Sequence, residues 1–219
     1  MSMRYVKALF AMLLVAIMAG CAAPKPYDYT AFRANRPASI VVLPPLNSSV
    51  EMGASYGVLA RATLPLAEAG YYVLPVALVD ESFKQNGLTV PGDMHNAPPA
   101  KLREIFGADA ALYMEVLNYG ATYTVLSSDV TVAVKARLVD LRSGDVLWTG
   151  QSSASTAENQ NQGGSLLGML IVAIVNQIVN TVDEDRSYVI AGITSQRLLG
   201  APNFNGLLYG PRSPKYQSD

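Results

Sequence analysis

The stretch from Val130 to Ser153, VTVAVKARLVDLRSGDVLWTGQSS, sets the tightest limit on what this chain can fold into. Val130, Val132, Val134, Ala136 and Leu138 share one face of an extended strand, and Thr131, Ala133, Lys135 and Arg137 share the other. That period of two belongs to a strand with one face in a core and one in water. Asp140 to Gly144, DLRSG, carries turn chemistry, because the Asp140 carboxylate can accept from the backbone ahead of it and Gly144 is free to take positive φ. A second apolar run starts at Asp145 and reaches Thr149, so the segment predicts a tight antiparallel hairpin. A hairpin alone is marginal in water, and neighbouring strands or a helical layer must cover it. Trp148 is expected to be buried there and to serve structure.

The flanking sequence supplies both. Ser39 to Leu43, SIVVL, is a continuous apolar run stopped by Pro44 and Pro45, as in a central buried strand. Tyr56 to Ala69 keeps helical spacing, with Pro65 kinking or dividing the element and Gly70 closing it. Tyr71 to Leu74 reads as a strand, Val76 to Gln85 as a helix and Val90 to Pro99 as a loop. Pro99 to Phe106 has proline at its start and Gly107 after its end, the signature of a short helix. Ala110 to Asn118 predicts a strand, turned by Tyr119 and Gly120 into another at Thr122 to Leu126; Ser127 to Asp129 turns again into the hairpin. Ser152 to Gly164 is polar and of low complexity, and reads as a mobile loop. Asp183 to Leu199 predicts a last helix. A half in which strands alternate with helices thus leads into a meander of about four strands. The expected class is α+β, or mixed α/β, in a single compact domain with helices covering one face of a mixed sheet.

The first residues carry an address. Arg4 and Lys7 precede the apolar run Ala8 to Met18, which is too short to span a bilayer core needing about twenty residues but suits a signal peptide. Small residues Ala19 and Gly20 follow, then Cys21, the one cysteine of 219 residues. Met18-Ala19-Gly20-Cys21 resembles the lipobox of bacterial lipoproteins, with Met18 at the position usually held by leucine. The resemblance implies cleavage before Cys21 and acylation of its thiol and amine, and several acyl chains hold a protein durably at a membrane. Ala22 is not the aspartate that commonly retains such proteins in the inner membrane, so the outer membrane, periplasm-facing, is the expected location. The expected boundaries are signal 1–20, lipidated N-terminus and tether 21–37, domain 38–199 and a Pro/Gly-rich tail 200–219. Within that tail Leu207, Leu208 and Tyr209 are expected to be pinned to the body, with the end free.

Ser165 to Val182, SLLGMLIVAIVNQIVNTV, predicts a helix too short in its strictly apolar part to span a membrane, with Asn176, Gln177 and Asn180 unsuited to bilayer depth. Leu167, Leu170, Ile171, Ile174, Ile178 and Val182 form one stripe. Gly168, Val172, Asn176 and Asn180 form a second, weaker face. Either the whole helix is core, or the second face meets another copy of the chain, with Gly164 and Gly168 allowing close approach.

The formal net charge is −1, and loss of Arg4 and Lys7 makes it more negative, so no nucleic-acid partner is expected. One histidine and one cysteine leave no metal cluster to propose, and no cofactor beyond the lipid on Cys21 is expected. Gly53-Ala-Ser55-Tyr-Gly57 matches the G-x-S-x-G string of hydrolase elbows, but no strand runs directly into it, and His95 sits in a Pro-rich loop and reads as solvated. Asp80-Glu81 and Asp183-Glu184-Asp185 read as helix-end and surface charges. No constellation supports an enzyme.

With Cys21, Ser39-Ile-Val-Val-Leu-Pro-Pro45, Ala69-Gly-Tyr-Tyr-Val-Leu-Pro75, Gly107-Ala-Asp-Ala110, Arg137 to Trp148 and Gly210-Pro-Arg-Ser-Pro214 in order, the chain resembles a family of Gram-negative outer-membrane lipoproteins with a domain of unknown function. Parts of the layout are also similar to the curli-secretion channel lipoprotein, the activator lipoprotein of penicillin-binding proteins and the amino-terminal domain of the Tol translocation protein. The resemblance implies a compact α/β domain and a role in binding and assembly. The expected partners are outer-membrane lipid and envelope proteins, including other lipoproteins, in a transport or secretion system. The alternative is a regulator contacting peptidoglycan or its synthases.

Overall fold

The computed structural model describes residues 26–123, 128–157, 183–201, 203 and 205–218. In chain order these form α1 (Thr30–Asn35), β1 (Ser39–Val42), β2 (Leu46–Asn47), α2 (Ala54–Glu68), β3 (Tyr72–Val73), α3 (Val76–Gln85), α4 (Pro91–His95), α5 (Pro99–Phe106), β4 (Ala110–Tyr123), β5 (Ser128–Asp140), β6 (Val146–Ser155) and α6 (Asp183–Leu199). One mixed sheet has the order β3-β1-β4-β5-β6, with β2 beside β4. β1 runs parallel to β3 and β4, and β4, β5 and β6 form an antiparallel meander. The α+β class with a mixed sheet ending in a meander is the one expected.

Helices lie on both faces rather than on one. In β1, Ile40 and Val42 enter a core shared with Phe32 of α1, Val58, Ala62 and Leu66 of α2, and Ile190 and Leu198 of α6. Val41 and its neighbour Leu43 enter a second core with Val79 and Phe83 of α3, Met94 of α4 and Leu102 of α5. Ile40, Val41, Val42 and Leu43 are apolar in succession and leave no face for water, so cover is needed on both sides. The hairpin differs. Val130, Val132, Val134, Ala136 and Leu138 are buried in the first core, as the alternation predicts, while Lys135 and Arg137 on the other face are exposed. The second helical layer therefore stops over β4.

The turn between β5 and β6 has the expected chemistry. Asp140 Oδ1 accepts from the backbone N–H of Arg142 (2.8 Å) and Ser143 (2.9 Å), and Gly144 has φ +80°. Past the turn, a register shift between Leu138 and Val139 breaks the alternation, so that Leu147 and Trp148 both reach the first core. Trp148 is 1% exposed, and its Nε1–H donates to Asn205 O at 2.9 Å.

Four local expectations are corrected. The two strands separated by Tyr119 and Gly120 are one strand, β4, carrying a register shift between Val116 and Asn118 and φ +119° at Gly120, so the meander has three strands. α2 is not divided at Pro65, the second of the two outcomes expected there, and Pro91–His95, expected as loop, is helical. Most of the expected tether is body. Tyr27 packs on Tyr29 with ring centroids 5.0 Å apart, Tyr29 meets Phe32 edge-on at 6.3 Å, and Phe32 is 3% exposed. In the tail, Leu207 and Tyr209 are buried as expected, and attachment continues beyond them: Gly210 N–H donates to Ala69 O (2.8 Å) and Arg212 N–H to Gly70 O (3.0 Å). The expected helix over 165–182 and its interface residues Gly168, Val172, Asn176 and Asn180 lie outside the described residues, as does Cys21.

Candidate functional site

Where the second helical layer ends, a groove of about 650 Å³ opens on the outer face of β4, β5 and β6. Register places its side chains. Tyr113 pairs with Arg137 and Glu115 with Lys135 across β4 and β5; Arg137 pairs with Thr149 and Lys135 with Gln151 across β5 and β6. All six face outward because they alternate with core residues such as Met114 and Ala136. His95, at the end of α4, and Leu46 of β2 close the side nearest the helices.

The charges are not balanced. Lys135 Nζ lies 2.9 Å from Glu115 Oε2, and Ser48 Oγ donates to Glu115 Oε1 at 2.8 Å. The hydrogen bonds from Lys135 and then Ser48 hold the Glu115 carboxyl below its ordinary value, so it stays ionised and matched. Arg137 has no carboxylate partner among the described residues. Its guanidinium lies 4.4 Å from the Tyr113 ring centroid, a stacking geometry that positions the cation without neutralising it. His95 adds no charge at neutral pH, because burial pushes its imidazole below the ordinary 6.5, with Arg137 acting in the same direction against Pro44 O and Glu115. Burial raises the Tyr113 phenol, which therefore remains protonated. The groove thus presents one spare guanidinium, a fixed ion pair, and the amide and hydroxyl of Gln151 and Thr149. A guanidinium of this kind has the geometry to pair with a carboxylate, and among the described lining residues no nucleophile has a base beside it.

The two residues that a hydrolase reading needs are committed elsewhere. Pro44 and Pro45 interrupt the pairing of the chain with β4, between β1 and β2, and both are buried. Their carbonyls need donors. Ser55 Oγ–H donates to Pro45 O at 2.9 Å, and His95 Nε2 lies 2.9 Å from Pro44 O, the contact of an Nε2–H donor with a carbonyl that can only accept. His95 is accordingly half-buried, edge-on to Tyr113 with centroids 5.2 Å apart, and not the solvated loop histidine expected. Asp80 pairs with Lys84 (2.6 Å) and Glu81 with Gln85 (3.0 Å), each within one turn of α3; Glu81 is a surface charge as expected, whereas the Asp80 side chain is largely buried. Among the described residues no cluster of three or more His, Cys, Asp or Glu is placed to hold a metal, and no helix is long and apolar enough to cross a membrane.

Sequence reasoning put Lys135 and Arg137 on the polar face of a strand and went no further. The same alternation marks Tyr113 and Glu115. What could have joined them was the pairing register, which a single sequence does not contain.

A mixed sheet with two helical layers, one cut short to leave an open groove on β4, β5 and β6, defines an α+β domain. The chain belongs to the family described as "Putative lipoprotein GNA1162-like", which matches residues 27–212. It is 50% identical over 186 residues, 85% of this chain and 86% of the other, to a Neisseria meningitidis serogroup B protein named "Putative lipoprotein NMB1124/NMB1162". The crystal structure of lipoprotein GNA1162 from Neisseria meningitidis is 51% identical, covers 66% of this chain and all of its own, and superposes with a TM-score of 0.54. The C-terminal domain of LpoB from Salmonella enterica is far more distant, at 19% identity and TM-score 0.37 over 53% of this chain and 82% of its own. At that distance the likeness says nothing of function.

Proposed function

We propose that this protein is an outer-membrane lipoprotein, anchored through acyl chains on Cys21 and facing the periplasm, that acts by binding an envelope protein through the β4–β6 groove. Membership of a lipoprotein family supports the anchor, together with the basic start, short apolar run and lone cysteine of residues 1–21. The observation that carries the binding role is Arg137, exposed and held over Tyr113 in a groove without a counter-charge of its own. A guanidinium pre-positioned by stacking loses little freedom when a carboxylate arrives. On this reading the role is assembly or transport; a Ser55–His95 hydrolase is disfavoured, because both side chains are used to satisfy proline carbonyls.

The test uses the full chain in cells, with a photoreactive amino acid at Gln151. A crosslinked partner that disappears in Arg137→Glu, with the melting temperature preserved, is the expected result. An unchanged crosslink pattern refutes the groove, and capture of cell-wall synthases directs the function to peptidoglycan instead. Cys21→Ser is expected to abolish fatty-acid labelling and sedimentation with outer membranes; labelling that persists ends the anchor assignment.

A further inference from the structure

The structure shortens the leash. Tyr27 is fixed to the body at both ends of the residue, its N–H donating to Asn205 Oδ1 at 2.9 Å and its hydroxyl accepting from Thr149 N–H at 3.1 Å. Ala22 to Pro26 alone separate it from Cys21. Fully extended, that interval reaches at most about 20 Å, whereas a body of this length has a radius of gyration of about 16 Å and hence a larger diameter. The face around Tyr27 is therefore kept within about 20 Å of whatever surface holds Cys21, and this step rests on the acylation proposed above.

The surface that leads from Tyr27 along α1 toward β3 at the other edge of the sheet is basic and aromatic. α1 follows Tyr27 directly, and beside it a cleft of about 220 Å³ is lined by Phe32, Arg36, Tyr71, Tyr209 and Tyr216 among others. Arg212 stands 5.1 Å from the Tyr72 ring and Lys215 5.7 Å from the Tyr209 ring. Arg36, Arg212 and Lys215 are exposed and make no ion pair among the described residues. The carboxylate of Asp28 on the same face is occupied by Thr30, through its N–H (3.0 Å) and its hydroxyl (2.6 Å). Arg36 ends α1 in the left-handed conformation, φ 42°, which glycine adopts with less strain. An arginine nevertheless stands there, with its side chain at the cleft. Tyrosines with an apolar body and a polar tip, among unpaired cations, suit a lipid headgroup layer.

We propose that this face, with Arg36, Arg212 and Lys215 around the tyrosine cleft, rests on the anionic phospholipid headgroups of the membrane that holds Cys21. The lipid then does more than retain the protein: it orients it.

The test takes the full acylated chain in vesicles of phosphatidylethanolamine with either phosphatidylglycerol or phosphatidylcholine. Trp148, the single tryptophan, touches Asn205 next to Tyr27 and serves as donor to a dansyl-labelled headgroup. Sedimentation reports the anchor and energy transfer reports the docking. Transfer is expected to be high with phosphatidylglycerol, to fall with salt or phosphatidylcholine, and to fall in R36E/R212E/K215E while sedimentation holds. In unacylated Cys21→Ser, affinity for phosphatidylglycerol vesicles is expected to drop roughly fivefold per basic residue, on the order of a hundredfold for three. Circular dichroism and the milder R36Q/R212Q/K215Q exclude loss of folding as the cause. Transfer that ignores lipid charge and all three substitutions overturns the docking. A wild-type chain that carries no fatty acid overturns the anchor and, with it, the leash.

Discussion

Replacing Gly150 with alanine puts two forces of opposite sign in competition. Glycine in a strand is unfavourable by roughly 0.5–1 kcal/mol relative to alanine, so propensity alone predicts a more stable protein. The structure predicts the reverse. A Cβ at position 150 falls inside van der Waals contact with Cζ2 and Cη2 of Trp148 and 3.1 Å from its Cε2, and that ring is 1% exposed. Overpacking of this kind costs about 1–3 kcal/mol. Moving the indole aside also strains the bond from Nε1 to Asn205 O, a further 0.5–1.5 kcal/mol or so. The net expectation is destabilisation of about 1–3 kcal/mol, a fall in melting temperature on the order of 5 °C for a domain of this size. Thermal circular dichroism measures it, and emission from the single tryptophan reports whether the ring has moved. A melting temperature that rises, with emission unshifted, would refute the packing described for Trp148. So would a Trp148→Ala/Gly150→Ala double mutant showing no coupling between the two sites.

Ser55→Ala is expected to lower stability by about 1–3 kcal/mol by stranding Pro45 O, with no effect on any esterase readout; a neutral change in the urea midpoint contradicts it. His95 gives a pH dependence of definite sign. Burial depresses its folded-state pKa, so the unfolded chain binds the proton more readily, and the stability present above pH 6.5 is lost as pH falls through the folded value. Glu115 and Asp109, both depressed from 4.5 and 3.8, act in the same direction only in a lower window. Urea midpoints at pH 7.5 and 5.5 are therefore expected to differ in the wild type and much less in His95→Gln, and an equal difference in both would exclude His95 as the source. Val172→Asp is expected to leave a folded but dissociated protein if the second face of 165–182 joins copies of the chain. Light scattering beside circular dichroism decides it, and unfolding along with dissociation would make that face core.

Legibility followed the range of the forces involved. α3, α5, α6 and the β5–β6 turn were readable because caps, prolines and the Asp140 side chain act within a few residues. Gly120 was misread as a turn because glycine suits a strand position of positive φ as well as a reversal, and what distinguishes them is its continuous pairing with β5, opposite Thr131. The segment from Tyr27 to Asn35 looked like a tether because its stabilising partners, Asn205 and Gly206, lie at the other end of the chain. The groove was half legible. Alternation exposed Lys135 and Arg137, but the helical layer ending over β4 is a tertiary fact with no local signature.

The closure between the two ends of the chain has a consequence for when this protein can fold. Tyr27 and Tyr29 bond to Asn205 and Gly206, Tyr71 to Leu208, and Ala69 and Gly70 to Gly210 and Arg212. Residue 27 leaves the ribosome long before residue 212, and contacts so far apart in sequence are slow to form even once both partners exist. Through nearly the whole of synthesis the early segment has no seat to occupy. Residues 205–212 complete the seat of residues 27–29, so the early segment is held in place only after that late stretch has been made.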